Sequence, residues 1–383
     1  MNKKALLYRS CFVLFISTFL WILMASVVDI QSPLGYEPSP FQRDGSDVIE
    51  TEYFDDNKTD VRPQEDNYVI TGEYICDNIN KQFIVILIPS LPKEIGVRNI
   101  LRKTWINALK TNSWPNEKLV FEFRVAFIFG NGYSGEENAL LKAEKEVYGD
   151  IIQGDFIDNF KNITRKILFG LKWVTEYCPT ARYIMKTNVD TFAHIPKLFN
   201  KIQAYNDSFG GKIFCRLHEN TVPSKEGELQ FVKTTNRLQY YPPYCDGAVY
   251  VISGDAVQRL VRASGRMPYI PLEDIYTTGI LARMAKVNRI NILPKLNLKN
   301  IPEWECIFQS SEENDPVYIA DSGYRPSQVA KIWKCLKYGP DLNDYIRSID
   351  IELVLSRLVY FFVVLLILLK CYFYSVRTER NKI

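Results

Sequence analysis

An α/β fold, a sheet flanked by helices, is predicted by three observations. Short apolar runs recur along the middle of the chain, stretches with helical spacing fall between them, and no internal repeat or low-complexity tract breaks the alternation. The runs are FIVILI at 83–88, LVFEFRVAFIF at 119–129, RYIM at 182–185 and AVYVIS at 248–253. The helical stretches cover 96–110, 136–147, 162–176 and 254–264, and a last one, 326–337, opens on Pro326, where a first-turn proline forfeits no helical hydrogen bond. With 47% hydrophobic and 24% charged residues, the 383-residue chain has a globular balance, enough for one large domain or two small ones.

The ends of the chain have a different texture. Residues 11–28, CFVLFISTFLWILMASVV, carry no charge, and at about 1.5 Å per residue they just cross a hydrocarbon layer of roughly 30 Å. They form a membrane span or a signal peptide. Lys3, Lys4 and Arg9 precede them and Asp29 follows, so the positive-inside bias keeps the tail at 1–10 in the cytosol. Ala25 and Val27 make a poor cleavage pair, and we therefore expect an uncleaved signal anchor. Residues 29–75 hold Pro33, Pro38, Pro40 and Pro63 among many acids and read as an extended stem, leaving 76–345 as the body. LVYFFVVLLILL at 358–369 is by itself the length of a core helix. Snorkelling by Arg357 or Lys370 extends it to about 20 residues, which makes 353–376 a candidate second membrane helix followed by a cytosolic basic tail at 377–383.

Charge and residue counts remove several function classes. Lys plus Arg number 47 against 44 Asp plus Glu, and a formal charge of +3 gives no field of the kind nucleic-acid-binding proteins spread over one face. We expect no nucleic-acid partner. Only His194 and His218 occur, which excludes His-rich zinc chemistry and leaves little room for a His-activated nucleophile. Acid–base work then falls to carboxylates. Cys11 and Cys371 lie in or beside apolar segments; Cys76, Cys178, Cys215, Cys245, Cys306 and Cys335 allow up to three disulfides in an oxidising lumen, in pairings that sequence alone does not separate. Sequons at Asn57, Asn162 and Asn206 agree with a lumenal body.

In an α/β body, ligands settle at the carboxyl ends of strands, so the residues just after each apolar run are the ones to read. RYIM is followed by Lys186-Thr187-Asn188-Val189-Asp190, where Asn188 and Asp190 put two oxygen-bearing side chains on one side of an extended turn. That pattern suits a hard divalent cation bridging a diphosphate, and it equally suits an Asx turn. Pro271-Leu272-Glu273-Asp274 opens a helical stretch reaching Met284, where acids either cap the helix or do chemistry. Tyr240-Tyr241-Pro242-Pro243-Tyr244-Cys245-Asp246-Gly247 precedes AVYVIS and forms either a sugar-stacking wall, with Tyr244, Gly247 and Glu273 beside it, or an aromatic turn packing the core.

Taken in order, these clusters resemble the β-1,3-galactosyltransferase and β-1,3-N-acetylglucosaminyltransferase family, glycosyltransferase family 31, over about residues 82–335. The family's first motif is similar to Arg98-Asn99-Ile100-Leu101-Arg102-Lys103-Thr104-Trp105, and its strand end to Phe127-Ile128-Phe129-Gly130. Its central signature resembles Tyr148-Gly149-Asp150-Ile151-Ile152, then Asp155-Phe156, Asp158, Asn162-Ile163-Thr164 and Lys166, then Trp173 and Cys178. YPPYC at 241–245, Glu273-Asp274-Ile275-Tyr276, and Pro326 with Ile332-Trp333 complete it.

The resemblance implies a GT-A-like nucleotide-sugar-binding fold with a central mixed sheet. It also implies a Golgi membrane location in type II orientation, and transfer from a UDP-sugar to an acceptor glycan with inversion. It makes Asp274 the general base, places Arg98, Arg102, Lys186, Asn188 and Asp190 toward the donor, and makes Asp190 a ligand of Mn2+ or Mg2+. Where the family has Lys-x-Asp-Asp-Asp-x-Phe, this chain has Lys186-Thr187-Asn188-Val189-Asp190-Thr191-Phe192, and where members often have a metal-binding His it has Asp321-Ser322, so Asp321 is the expected second carboxylate ligand. The alternative expectation is a catalytically weakened, sugar-binding or scaffolding relative.

Overall fold

The computed structural model describes residues 66–79, 81–205, 211–221, 240–267, 269–292, 319–320 and 326–339, with a few helical residues between 362 and 370. The expected anchor at 11–28, most of 353–376, the sequons at Asn57 and Asn206, and Asp321 lie outside the described residues. Among the described residues no helix is long and apolar enough to cross a membrane.

Among the described residues ten strands occur in the order β1 (Tyr68–Ile70), β2 (Phe83–Pro89), β3 (Glu122–Asn131), β4 (Ile151–Ile157), β5 (Tyr183–Thr187), β6 (Phe192–Ala193), β7 (Lys212–His218), β8 (Tyr244–Ser253), β9 (Asn288–Asn291) and β10 (Ile319–Ala320). Eight form one mixed sheet in the order β1-β4-β3-β2-β5-β8-β7-β9, while β6 and β10 make a separate antiparallel pair. From β4 to β5 the strands are parallel; β8 runs antiparallel to both β5 and β7. All seven residues of β2 are buried, as a continuous apolar run must be when helices cover both faces of the sheet.

The helices are α1 (Ile95–Leu101), α2 (Asn107–Lys110), α3 (Gly135–Tyr148), α4 (Ile163–Tyr177), α5 (Ile195–Ala204), α6 (Gly254–Ser264), α7 (Ala282–Met284) and α8 (Pro326–Tyr338). The stretch expected as one helix at 96–110 is broken by a π-helical turn, Arg102–Ile106, in which Thr104 leaves helical geometry. Its hydroxyl donates back to the carbonyls of Ile100 and Leu101, the local bonding by which threonine disturbs a helix. α3 starts on the Ser134 hydroxyl, which accepts from Glu137 N, carries Glu136 and Glu137 at its positive end, and stops at Gly149, whose φ of +64° a side chain would strain.

The folded body begins earlier than the expected boundary at 75. β1 pairs with β4, Arg165 meets Asp66, and Asn67 Nδ2 donates to Asp155 at 2.8 Å, so residues 66–75 belong to the body and not to a stem. Cys76–Cys178 joins this segment to the end of α4, Cys215–Cys245 staples β7 to β8, and Cys335 is also disulfide-bonded. For function, the decisive feature is the strand order. β3 and β4 are added on one side of β2 and β5 on the other, so the connections reverse direction between β2 and β5 and leave a crevice at their carboxyl ends.

Candidate active site

β5 ends at that crevice. Lys186 and Thr187 are its last residues, and the chain then turns through Asn188, Val189 and Asp190, all partly exposed, before burying Thr191 and Phe192. Because β8 runs antiparallel to β5, with Lys186 opposite Tyr250 and Thr187 opposite Val249, this turn meets the start of β8, Tyr244-Cys245-Asp246-Gly247.

Asp274 reaches the same end from a third element. It caps a π-helical run, Ile275–Leu281, with Oδ1 accepting from Ile275 N at 2.8 Å, and π-helical turns recur where a side chain must be aimed at a site. Its own carbonyl accepts from the Thr278 hydroxyl, which in turn accepts from Cys245 N, locking this backbone to β8. A β-carbon on Gly247 would sit 3.3 Å from Asp274 Oδ2, so the absence of a side chain there makes room for the carboxylate. Asp190 and Asp274 thus open onto one end of the sheet.

The electrostatics single out Asp274. Burial pushes its carboxyl up to about 6, the charge of Glu273 adds to the shift, and the Ile275 N–H and Lys186 oppose it. Tyr244, on the adjoining wall, is half-buried; its ring stacks on His218 with centroids 5.3 Å apart and meets Tyr241 edge-on. Asp246 accepts from Ala248 N, Arg216 and His218 at 2.9, 2.7 and 3.2 Å. Burial alone would raise the Asp246 carboxyl, but these donors outweigh it and hold it below the usual range. Arg216, His218 and Asp246 form a polar rim that sequence reading missed, since nothing marks residues about 30 apart as neighbours before β7 and β8 are paired.

Residues 97–293 match the sequence pattern of the family described as Galactosyltransferase. The chain belongs to this galactosyltransferase family. It is 35% identical over 243 residues to human UDP-GalNAc:β-1,3-N-acetylgalactosaminyltransferase 1, covering 61% of this chain and 69% of that protein. It is 31% identical over 261 residues to human β-1,3-galactosyltransferase 5, covering 67% and 78%, and 29% identical over 255 residues to rat β-1,3-galactosyltransferase 4, covering 59% and 66%.

In this member of the family the other expected site residues divide sharply. Arg98, fully buried, spends all five N–H groups: two on Glu144 at 2.8 and 2.6 Å, and the rest on the Ser90 hydroxyl and the carbonyls of Leu91 and Pro92. Arg102 forks onto Asp150 at 3.0 and 2.7 Å, reaches Glu144 at 2.7 Å and lies over Tyr148. To bind a donor, either would have to give up buried carboxylate partners. Lys186 and Glu273 are also buried, and they bind each other. Asn162 Nδ2 donates to Ile157 O, and the Thr164 hydroxyl of the same sequon is buried against Ile270 O. Two cavities, of about 1060 and 530 Å³, open at the amino ends of β5 and β3, and neither is lined by Asp190 or Asp274. Among the described residues no three His, Cys, Asp or Glu side chains are grouped to hold an ion unaided.

Proposed function

We propose that this chain transfers galactose or an N-acetylhexosamine from a UDP-sugar to a hydroxyl of an acceptor glycan on protein or lipid, inverting the anomeric centre and forming a β-1,3 linkage. Membership of the galactosyltransferase family and the named relatives support a hexosyltransferase acting on a nucleotide-sugar donor and a glycan acceptor. The observation that carries the finer reading is Asp274: a partly exposed carboxylate at the carboxyl end of the sheet, set against Gly247 and raised to about 6. Such a group is ionised at neutral pH yet more basic than an ordinary aspartate, the compromise a general base needs. It takes the proton of the acceptor hydroxyl as that oxygen attacks the anomeric carbon opposite the departing diphosphate.

The oxygen donors of the β5 turn fit a hard divalent cation. Asp190, with the Asn188 amide oxygen, would hold Mn2+ or Mg2+, and Asp321 is the proposed second carboxylate; magnesium sites commonly use one or two carboxylates together with substrate phosphates. When bound, the ion supplies positive charge to the leaving diphosphate. The proposal includes a Golgi membrane location, with the body lumenal behind a signal anchor.

One observation favours a second reading, a weakened relative that binds sugar nucleotides without turning them over. Asn188 and Val189 stand where the family places acids. A donor screen separates the two. UDP release and transfer are measured with UDP-galactose, UDP-N-acetylglucosamine and UDP-N-acetylgalactosamine, with and without Mn2+, for wild type and Asp274→Asn. The transferase reading expects kcat to fall about 10²- to 10⁴-fold in the variant, with the thermal shift produced by UDP retained. Equal rates in both proteins remove Asp274 as the base. A wild type that binds donor but neither hydrolyses nor transfers across a broad acceptor panel establishes the second reading.

A further inference from the structure

An ion pair packed against Asp274 has no task in the reaction proposed above. Lys186, next to last in β5, donates from Nζ to the carbonyl oxygen of Gly247 and lies 3.3 Å from Glu273 Oε2. Glu273 Oε1 accepts from the Tyr250 hydroxyl, and Tyr250 is the cross-strand partner of Lys186 on β8, its ring centroid 5.7 Å from Nζ. Lys186, Glu273 and Tyr250 are 3%, 6% and 0% exposed, so a sugar nucleotide cannot reach their polar atoms without opening the sheet end.

The cluster grips Asp274 from two sides. Lys186 holds the carbonyl of Gly247, the residue whose missing side chain leaves space for Asp274 Oδ2, and Glu273 is joined by a peptide bond to Asp274. Taking a Lys–Glu pair out of water is costly and by itself weak evidence for stability, so a buried pair beside a reactive group calls for another use. We infer that Lys186, Glu273 and Tyr250 form a positioning clamp that fixes where the Asp274 carboxylate points, and are not contact residues for donor or acceptor. The inference rests on the reading of Asp274 as general base.

The charged and titratable groups facing Asp274 are Glu273 on its own segment, Lys186 from β5, and Tyr244 and Tyr250 from β8, with Asp246 also acting on Tyr244. The test compares Glu273→Gln, Lys186→Met, the double variant and Tyr250→Phe in the full chain, reading kcat, donor KM, the thermal shift with UDP and Mn2+, and the pH dependence of kcat/KM. A clamp lowers kcat about 10- to 100-fold, the range seen when an outer supporting group is lost, with donor KM and the UDP shift within about twofold of wild type. The acid limb of kcat/KM moves down in E273Q, which loses a negative neighbour of the base, and up in K186M, which loses a positive one. The double variant returns the limb toward wild type without restoring kcat, because its charge is rebalanced and its geometry is not. If a single variant fails to fold on its stranded charge, Y250F decides, since it removes one hydroxyl and strands no charge.

A tenfold or greater rise in donor KM with kcat retained makes these residues ligand contacts and overturns the inference. Wild-type kcat, KM and pH limb in E273Q and Y250F reduce the cluster to packing and overturn it equally. Both failures leave Asp274 as the base so long as D274N is inactive; a fully active D274N sinks the parent reading instead.

Discussion

Among buried charges, Arg98 and Arg102 meet Glu144 and Asp150 two against two, with the exposed Lys110 a further 3.8 Å from Asp150, whereas Lys186 meets Glu273 and Asp274 one against two. In the first cluster every charge has an opposite partner within 3 Å, and the guanidiniums lie over Phe129, Phe127 and Tyr148. Burial would raise the Glu144 carboxyl, yet the two arginines outweigh it and hold the group below its usual range. In the second cluster one carboxylate is in excess, and burial pushes it up to about 6. The balanced cluster joins α1 and the π-helical turn after it to α3 and the turn before β4, and behaves as scaffold. The unbalanced one sits at the carboxyl end of the sheet, partly open, with an acid held in reserve. An uncompensated charge at the carboxyl end of the sheet is what separates the proposed site from the brace.

Removing Arg98 is the harshest test of that contrast. Arg98→Met strands Glu144 with half its partners, and breaking a buried pair from one side costs about 3–5 kcal/mol. The urea midpoint should drop accordingly with the m-value unchanged, while D274N shows no such loss. An R98M protein that keeps wild-type stability but no longer responds to UDP would make Arg98 a donor ligand and break the comparison.

The sequence supports part of this picture. FIVILI and AVYVIS fall inside β2 and β8, RYIM overlaps β5 from Tyr183 on, and the helical stretches at 136–147, 162–176 and 254–264 match α3, α4 and α6 to within a residue or two, because apolar periodicity is a local property. The Asp274 segment was legible as a helix start. The tasks of Arg98 and Arg102 were not, since their carboxylate partners lie 46 and 48 positions away and only the packing of α3 and the turn before β4 brings them together. In the sequence Lys186 and Glu273 look like donor and wall residues for the same reason: a charged side chain beside a strand end or a helix start looks alike whether it faces a ligand or another buried charge. Strand β4, ILE-ILE-GLN-GLY-ASP-PHE-ILE in register with β3, escaped notice because its buried Gln153 and Gly154 interrupt the apolar run, and Gln153 hides its amide by donating to Gly130 O.

A smaller effect sharpens the comparison by its sign. The Asp274 carboxyl titrates near 6 in the folded chain and about 3.9 in the unfolded one. Below about pH 4 both states are protonated and the group contributes no difference. Between about 4 and 6 the unfolded chain releases the proton that the folded chain still holds, so stability falls as pH rises, and above 6 the whole penalty is present, on the order of 2 kcal/mol after allowing for partial solvation. Asp274→Asn cannot titrate. Its melting temperature should exceed that of wild type at pH 7.5 and converge with it near pH 4, in thermal scans across that range. A variant less stable than wild type at pH 7.5 would mean that Asp274 is a brace like Glu144.

The mildest substitution asks whether the space beside the base is itself tuned. Gly247 has no left-handed φ, so alanine fits its backbone, and the added methyl would meet Asp274 Oδ2 at 3.3 Å, tight enough that the carboxylate must yield by a few tenths of an ångström. Misplacing a reacting group by about 1 Å can cost around 10²-fold, so a shift of this size should lower kcat roughly tenfold in Gly247→Ala. The crowding should cost about 1 kcal/mol of stability, the low end for overpacking, and donor KM should be unchanged. Because Lys186 holds the Gly247 carbonyl, the glycine cannot simply move aside, and the displacement falls on Asp274. Wild-type kcat in G247A would show a carboxylate free to swing, and the fixed aim that sets this cluster apart from the arginine brace would be lost.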